Sequence, residues 1–348
     1  MPLTRRDFLK LGLLSLGSLA FRPPFGRREA HTAPRQGRIT IDSVQVYAEP
    51  TSDSAIVGTR YRDQVVNIYH TIESPHGPAY NPRWHRVWGG YLHSAYVQPV
   101  HTRLNEPLPG LATGGQLCEI SVPYTEAYIY DSREGWQHRY RLYYETTHWA
   151  TDIVEGPDGQ PWYEITSELD RYLKYTVPAV HMRPILDEEI APLSPDIPPE
   201  DKRILVSIAR QELTALEGDT VVFKTHISSG LPSPDPIPEG TRTTRGRFNI
   251  SSKSPSKHMG ALQTSGAPGS YTLPGVPWTS FFVPEYGVAF HGTFWHDNFG
   301  VPMSHGCINM RNADARWLFR WVTPVWEVPP KDPTRWDRRG FGTTVIVE

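Results

Sequence analysis

Apolar positions in this chain fall in short, alternating, β-branched runs, and almost nowhere at helical spacing. Ile39-Thr40-Ile41, Val44-Gln45-Val46-Tyr47, Ala55-Ile56-Val57 and Val65-Val66-Asn67-Ile68-Tyr69 are each bounded by turn-forming residues. Trp84-His85-Arg86-Val87-Trp88, Tyr91-Leu92 and Tyr96-Val97 continue the rhythm. Brief strands at such spacing predict a small barrel. A second set runs from Ile120-Ser121-Val122 through Tyr140-Arg141-Leu142-Tyr143-Tyr144 to Trp162-Tyr163-Glu164-Ile165 and Val177-Pro178-Ala179. Trp84, Tyr91-Leu92 and Val97-Gln98-Pro99-Val100 in the first set are echoed by Trp162, Tyr172-Leu173 and Arg183-Pro184-Ile185 in the second. A third set opens at Arg203-Ile204-Leu205-Val206-Ser207-Ile208. There residues 211–219 read as a hairpin turn and Thr220-Val221-Val222-Phe223-Lys224-Thr225 as its return strand. Gly342-Thr343-Thr344-Val345-Ile346-Val347 closes the set as a strand. One stretch breaks the rule. From Asn312 to Val322, Ala313, Ala315, Trp317, Leu318 and Trp321 recur at helical spacing, with Asn312 as the expected N-cap.

Length and composition divide this pattern into domains. With 348 residues the chain is long enough for two or three. Its 34 prolines, about twice ordinary usage, mark the joints. Residues 186–202, carrying Pro192, Pro195, Pro198 and Pro199, read as an extended, semi-rigid linker. Residues 21–37 read as a flexible tether. The expected organisation is thus mainly β: a unit at 38–103, a second unit at 113–185, the linker, and a β-rich third domain at 203–348 with one short helix. The net charge of −2 offers no basic face for nucleic acid.

The first twenty residues are read separately. Thr4-Arg5-Arg6-Asp7-Phe8-Leu9-Lys10 precedes an apolar run of about eleven residues from Leu11 to Phe21. That run is too short for the roughly twenty residues a spanning helix needs. It is similar to a twin-arginine export signal, with Ser18-Leu19-Ala20 offering small residues for cleavage. The resemblance implies an exported protein of the periplasm or cell wall, with no transmembrane span in the mature chain.

Chemistry concentrates near the C-terminus. Cys307 is one of two cysteines and lies within Ser304-His305-Gly306-Cys307-Ile308-Asn309, sixteen residues after His291-Gly292-Thr293. A free thiol with a pKa of about 8.5 is only a few per cent thiolate at neutral pH, so it needs a nearby imidazole to attack efficiently. His291 ends the strand-like run Gly287-Val288-Ala289-Phe290, which can hold its ring rigidly. Gly292 has no side chain to orient that ring, so its carbonyl is the natural partner for the second ring nitrogen. Gly306 allows close backbone approach, and the amides of Gly306 and Cys307 are candidate oxyanion donors. His305 is expected to organise the turn by hydrogen bonds and to favour the thiolate. Ser304 and Asn309 are read as braces. Cys118 reads as a buried, free thiol. The spacing of His291, His296, His305 and Cys307 matches no usual zinc motif, so no metal or other cofactor is expected.

These two blocks, in this order, resemble the signature of bacterial L,D-transpeptidases, the YkuD-like catalytic domain. Val46-Tyr47-Ala48-Glu49-Pro50, Val57-Gly58-Thr59 and Tyr91-Leu92-His93-Ser94-Ala95-Tyr96-Val97 likewise resemble a bacterial SH3-like domain. The fold class implied is one or two small SH3-like barrels followed by a β-rich L,D-transpeptidase domain with a short helix after the nucleophile. The first resemblance implies Cys307 as nucleophile, His291 as general base, and peptidoglycan stem peptides as donor and acceptor. The expected reaction is 3–3 cross-linking through a thioacyl-enzyme on a tetrapeptide stem, with release of D-alanine. The alternatives are L,D-carboxypeptidase activity with water as acceptor, or a catalytically silent wall-binding protein. The SH3-like units are candidate binders of glycan or peptide. Expected substrate contacts are Trp295 and His296 on the loop between the blocks, His258 and Met259, Tyr286 with the aromatic segment from Tyr271, Asn309, and Arg311 as a carboxylate partner. The chain has Thr243-Thr244-Arg245-Gly246-Arg247-Phe248 where the family often shows Thr-Pro-x-Gly-x-Phe.

Overall fold

Ile39, Val46, Val66, Ile68, Val87, Leu92 and Val97 meet in one core, because alternation along short strands sends every second side chain inward. The structure is a computed structural model that describes residues 36–166, 168–169, 172–236, 239–261, 271–328 and 330–348. The expected export signal and most of the expected tether lie outside the described residues. Eight strands surround the first core: β1 (Gln36–Ile39), β2 (Ser43–Tyr47), β3 (Ile56–Tyr61), β4 (Val65–Asn67), β5 (His70–Glu73), β6 (Arg83–Val87), β7 (Gly90–His93) and β8 (Val97–Val100). They form sheets ordered β4-β1-β8 and β3-β2-β7-β6-β5. Gln36 and Gly37, within the stretch expected to be tether, belong to β1.

A seven-stranded antiparallel sheet follows: β9 (Gln116–Ile120), β10 (Tyr124–Asp131), β11 (Gly135–Tyr143), β12 (Thr147–Glu155), β13 (Pro161–Thr166), β14 (Lys174–Pro178) and β15 (Met182–Pro184). Their order is β11-β10-β14-β13-β12-β9-β15. Cys118, Ala127, Leu142, Tyr163, Val177 and Met182 fill its core. Both sets end on a hairpin, a single 3₁₀ turn (Ser94–Tyr96 or Ala179–His181) and a last strand. The echo of Tyr91-Leu92 is therefore in β14, around Thr176-Val177, and not at Tyr172-Leu173, which precedes that strand.

The third set contains β16 (Lys202–Ser207), β17 (Glu212–Glu217), β18 (Thr220–His226), β19 (Gly246–Asn249), β20 (Ser252–Gly260), β21 (Thr272–Val283), β22 (Val288–Gly292), β23 (Ile308–Met310), β24 (Arg338–Arg339) and β25 (Thr344–Val347). Two helices accompany it, the one-turn α1 (Asp187–Ile190) and α2 (Asn312–Trp321). The sheets run β18-β17-β16-β25-β19 and β23-β22-β21-β20-β24. Residues 212–217, expected within a turn, form β17 because Leu213, Ala215 and Leu216 are buried. The turn is confined to the Gly218-Asp219 tip. Arg311, and not Asn312, is the N-cap of α2. Lys202 Nζ donates to Trp321 O at 3.0 Å, and Lys253 Nζ to Phe319 O and Val322 O at 2.6 and 2.9 Å. Two buried lysines thus satisfy the carbonyls at the helix C-terminus.

The expected extended linker is docked. Arg316 and Arg320 on α2 donate to Glu189 O and Ala191 O, and Ile190 enters the same core as Trp278, Phe282 and Phe319. Leu117, Trp149 and Ile185 from the second set join that core as well. Apolar burial therefore runs continuously from the seven-stranded sheet into the third set. Among the described residues, no helix is long and apolar enough to cross a membrane.

Candidate active site

Parallel pairing of β22 with β23 sets the site. Phe290 faces Ile308, His291 faces Asn309, and Gly292 faces Met310. Paired residues in a parallel ladder point to the same face, and so do residues two apart on one strand. Cys307 directly precedes β23, beside Ala289, and therefore shares the face of His291 and Asn309. One inter-strand step of ~4.8 Å and two residues of rise put about 8 Å between the Cα atoms of Cys307 and His291.

The ring of His291 is buried, and its Nδ1 lies 2.9 Å from Gly292 O. A carbonyl only accepts, so Nδ1 carries the hydrogen and Nε2 presents its lone pair. This is the arrangement expected from the lack of a side chain at Gly292. Burial lowers the His291 pKa to about 4, against the pull of that carbonyl. Burial raises the Cys307 thiol to about 11, partly offset by the Ala289 N–H. The resting pair is consequently neutral imidazole and thiol. The thiol donates a long bond to Gly287 O at 3.6 Å.

The turn before Cys307 is held from several sides. Ser304 Oγ donates to Cys307 O and accepts from Gly306 N at 3.2 Å. Ser304 thus ties the Gly306 amide to the Cys307 carbonyl. The Gly306 amide, expected as an oxyanion donor, is already engaged by that hydroxyl, which leaves the Cys307 amide. Gly306 has φ +122°, a conformation essentially restricted to glycine. Thr243, at the head of the segment that departs from the family pattern, accepts from Gly230 N and donates to Gly306 O, both at 2.8 Å. Ser228 and Asn309 exchange backbone hydrogen bonds at 2.9 and 2.8 Å. His305 does not organise this turn: it is exposed and makes no hydrogen bond among the described residues.

Trp295 and His296 do border the pair. The Trp295 ring lies 5.7 Å from the His291 ring. His296 is buried, its Nδ1 accepts the Asn298 amide, and its Nε2 faces the Asn309 side chain at 3.0 Å. Burial first, then His291 and Arg311, lower its pKa to about 3, so it is a neutral structural ring. Tyr271 lies close enough to Cys307 for the thiol to add to the effect of burial in raising the phenol pKa. Tyr286 is exposed on the 3₁₀ turn before β22.

Two expected contacts point elsewhere. His258 is buried beneath the second set, its ring 5.9 Å from Tyr140, its Nε2 donating to Ala261 O and its backbone N–H to Glu168. Met259, the next residue on β20, is half-buried, and the pairing of β20 with β21 shifts register between Lys257 and Met259. Arg311 lies over Phe299 and pairs with Asp314 and Asp297 at 3.8 and 4.0 Å, so its charge is already matched.

The loop between the two blocks is gripped by the first set of strands. Arg38 Nη2 donates to Phe294 O at 2.9 Å, and Asp297 N donates to Ala95 O at 2.8 Å. Asn81 Nδ2 donates to Asp297 O at 3.1 Å, and Arg83 pairs with the Asp297 carboxylate at 3.0 Å. Arg38 is held by Asp63 at 2.8 Å, and Asp63 also pairs with Arg141 from the second set at 2.7 Å. Tyr143 stacks on Phe294 with ring centres 5.4 Å apart. Among the described residues, no group of three His, Cys, Asp or Glu side chains is placed to hold a metal ion.

Residues 201–347 match the family model of the L,D-transpeptidase catalytic domain, YkuD. That stretch is a YkuD-type catalytic domain. No curated protein matches the chain. Among solved structures, the chain is similar to the catalytic domain of an L,D-transpeptidase from E. faecium, at 25% identity over 43% of this chain and 98% of that one, with a TM-score of 0.31. An L,D-transpeptidase from Mycobacterium smegmatis is 17% identical over 58% of this chain and 89% of its own, with a TM-score of 0.33. One from Xylanimonas cellulosilytica is 22% identical over 43% of this chain, with a TM-score of 0.28, and the chain spans 62% of its length. The family match, and not these likenesses, identifies the YkuD domain.

Proposed function

We propose that this protein is an exported peptidoglycan L,D-transpeptidase in which Cys307 forms a thioacyl-enzyme with a tetrapeptide stem. The observation that carries this reading is the His291 Nδ1···Gly292 O bond at 2.9 Å, beside a thiol that directly precedes the adjacent parallel strand. It leaves Nε2 basic on the face that Cys307 shares. As Cys307 Sγ attacks the carbonyl of the L-centre of meso-diaminopimelate, its proton passes to His291 Nε2. The tetrahedral oxyanion takes the Cys307 amide N–H. His291 then protonates the departing D-alanine amine, leaving the tripeptide as a thioester. An amine from a second stem attacks that thioester, His291 takes its proton, and the free thiol returns with a 3–3 cross-link formed. Splitting the exchange into two acyl transfers makes each bond-breaking step one that a single base can serve.

Residues 1–20 serve in this reading as the export signal. The two N-terminal β sets are read as SH3-like modules that engage glycan or stem peptide. Support for that comes from the repeated hairpin, 3₁₀ turn and terminal strand.

Incubation of the mature protein with a disaccharide-tetrapeptide, alone and with a second stem as acceptor, tests the reaction. Cross-linked dimer with stoichiometric D-alanine is the expected product when acceptor is present. D-alanine release without dimer would establish the carboxypeptidase instead, and no release would establish a silent domain.

A further inference from the structure

Glu145 lies in the turn between β11 and β12, outside the YkuD domain, yet its carboxylate reaches a residue inside that domain. Its backbone sits at φ +61°, in the left-handed region that a non-glycine residue seldom occupies and that recurs at functional sites. The turn is fixed by Glu145 N donating to Ile120 O at 2.8 Å and Thr146 Oγ1 to Tyr143 O at 2.7 Å. From this perch Glu145 Oε2 accepts Asn312 Nδ2 at 2.8 Å. Asn312 is the first residue of α2. Its other amide atom, Oδ1, is buried without a hydrogen-bond partner and lies so near Gly292 that a Cβ there would come within 2.3 Å of it. The same Cβ would also come within 2.8 Å of the Pro277 ring. Gly292 in turn supplies the carbonyl that holds His291.

An orphaned buried oxygen costs stability, so Asn312 Oδ1 stays against Gly292 only because the rest of its carboxamide is held there. Here the holding group is the carboxylate from the preceding β set. We propose that Glu145 is a positioning residue for His291, acting through Asn312 and Gly292, so that the second β set completes the catalytic site. This rests on the reading of His291 as the general base. Holding the Asn312 carboxamide against Gly292 fixes the peptide plane whose carbonyl sets the tautomer and tilt of the ring. Burial raises the Glu145 carboxyl to about 7, opposed by Asn312, with Glu119, Arg183 and Arg316 the other charged groups that act on it. Charged or neutral, it keeps an oxygen that accepts from Asn312. Glutamine is therefore a faithful substitute, whereas glycine removes the acceptor and suits the positive φ.

The test compares full-length Glu145→Gly, Glu145→Gln and Asn312→Ala with wild type. It reads the ¹⁵N signals of the His291 ring, iodoacetamide alkylation of Cys307, kcat and KM, and thermal melts. Glu145→Gly and Asn312→Ala are expected to shift the His291 ring signals and to slow alkylation and kcat by roughly ten- to a hundredfold, with KM held. Glu145→Gln should restore most of that loss, and Glu145→Gly with Asn312→Ala should be no worse than either alone. Folded Glu145→Gly protein with unchanged ring signals and unchanged alkylation overturns the proposal, as would full additivity. Should the transpeptidase reading itself be wrong, wild type would form no acyl-enzyme while the ring signals still respond to Glu145→Gly.

Discussion

Replacing His291 by alanine slows acylation of Cys307 at neutral pH by about 10²–10⁴-fold, the usual worth of a positioned base, and changes the shape of the pH profile. In the wild type His291 is neutral above about pH 4 and the thiol stays protonated up to about pH 11. Acylation that needs neutral imidazole is thus flat between these limits and falls as pH drops through the lower one. Without the imidazole only free thiolate attacks. The variant's rate should then climb about tenfold per pH unit towards the thiol pKa. Rates of acylation by a carbapenem or a stem peptide from pH 5 to 10, followed by intact mass, give both curves. A flat profile in the variant would remove His291 from the mechanism.

A second large effect lies far from the thiol. Asp63→Asn is expected to destabilise the protein by about 3–5 kcal/mol, the cost of removing one partner from a buried ion pair. Asparagine keeps the shape and tolerates the φ of +63° at this position, so the loss reports charge. It strands Arg38, whose side chain is 3% exposed, and releases Arg141. Since Arg38 also donates to Phe294 O, the loop bearing Trp295 and His296 should loosen with it. Denaturant unfolding gives the energy, and hydrogen exchange over residues 293–303 gives the loosening. A change below about 1 kcal/mol, typical of an exposed pair, would show that the Arg38-Asp63-Arg141 network is not a joint of the fold.

The two blocks around Cys307 were legible because their constraints are local. Gly292 has no side chain, so only its carbonyl can serve His291, and Ser304 lies within three residues of the carbonyl it braces. His258 was not legible because its partners, Tyr140, Glu168 and Ala261, come together only once the second set has packed on β20. Residues 212–217 were misread because Gly218 and Asp219 advertise a turn that occupies only the tip of the hairpin. Proline content misled at residues 186–202, where Glu189 and Ala191 accept hydrogen bonds from arginines of α2. The grip of Arg38, Asn81 and Ala95 on the catalytic loop had no signal in the sequence. Those contacts join residues some 200 or more positions apart, and no local pattern ties one partner to the other. Glu145 is similar: an ordinary acidic residue in a turn, whose reach to Asn312 exists only after two sheets have packed.

The central claim is that Cys307 becomes acylated by a stem peptide with loss of D-alanine. Intact-mass measurement of the mature chain after exposure to a tetrapeptide donor reads this directly. The account predicts a gain equal to the donor minus one alanine on wild type, placed on Cys307 by fragmentation, and none on Cys307→Ala. An adduct that survives in Cys307→Ala, or a wild-type thiol that stays bare while D-alanine accumulates, would contradict it.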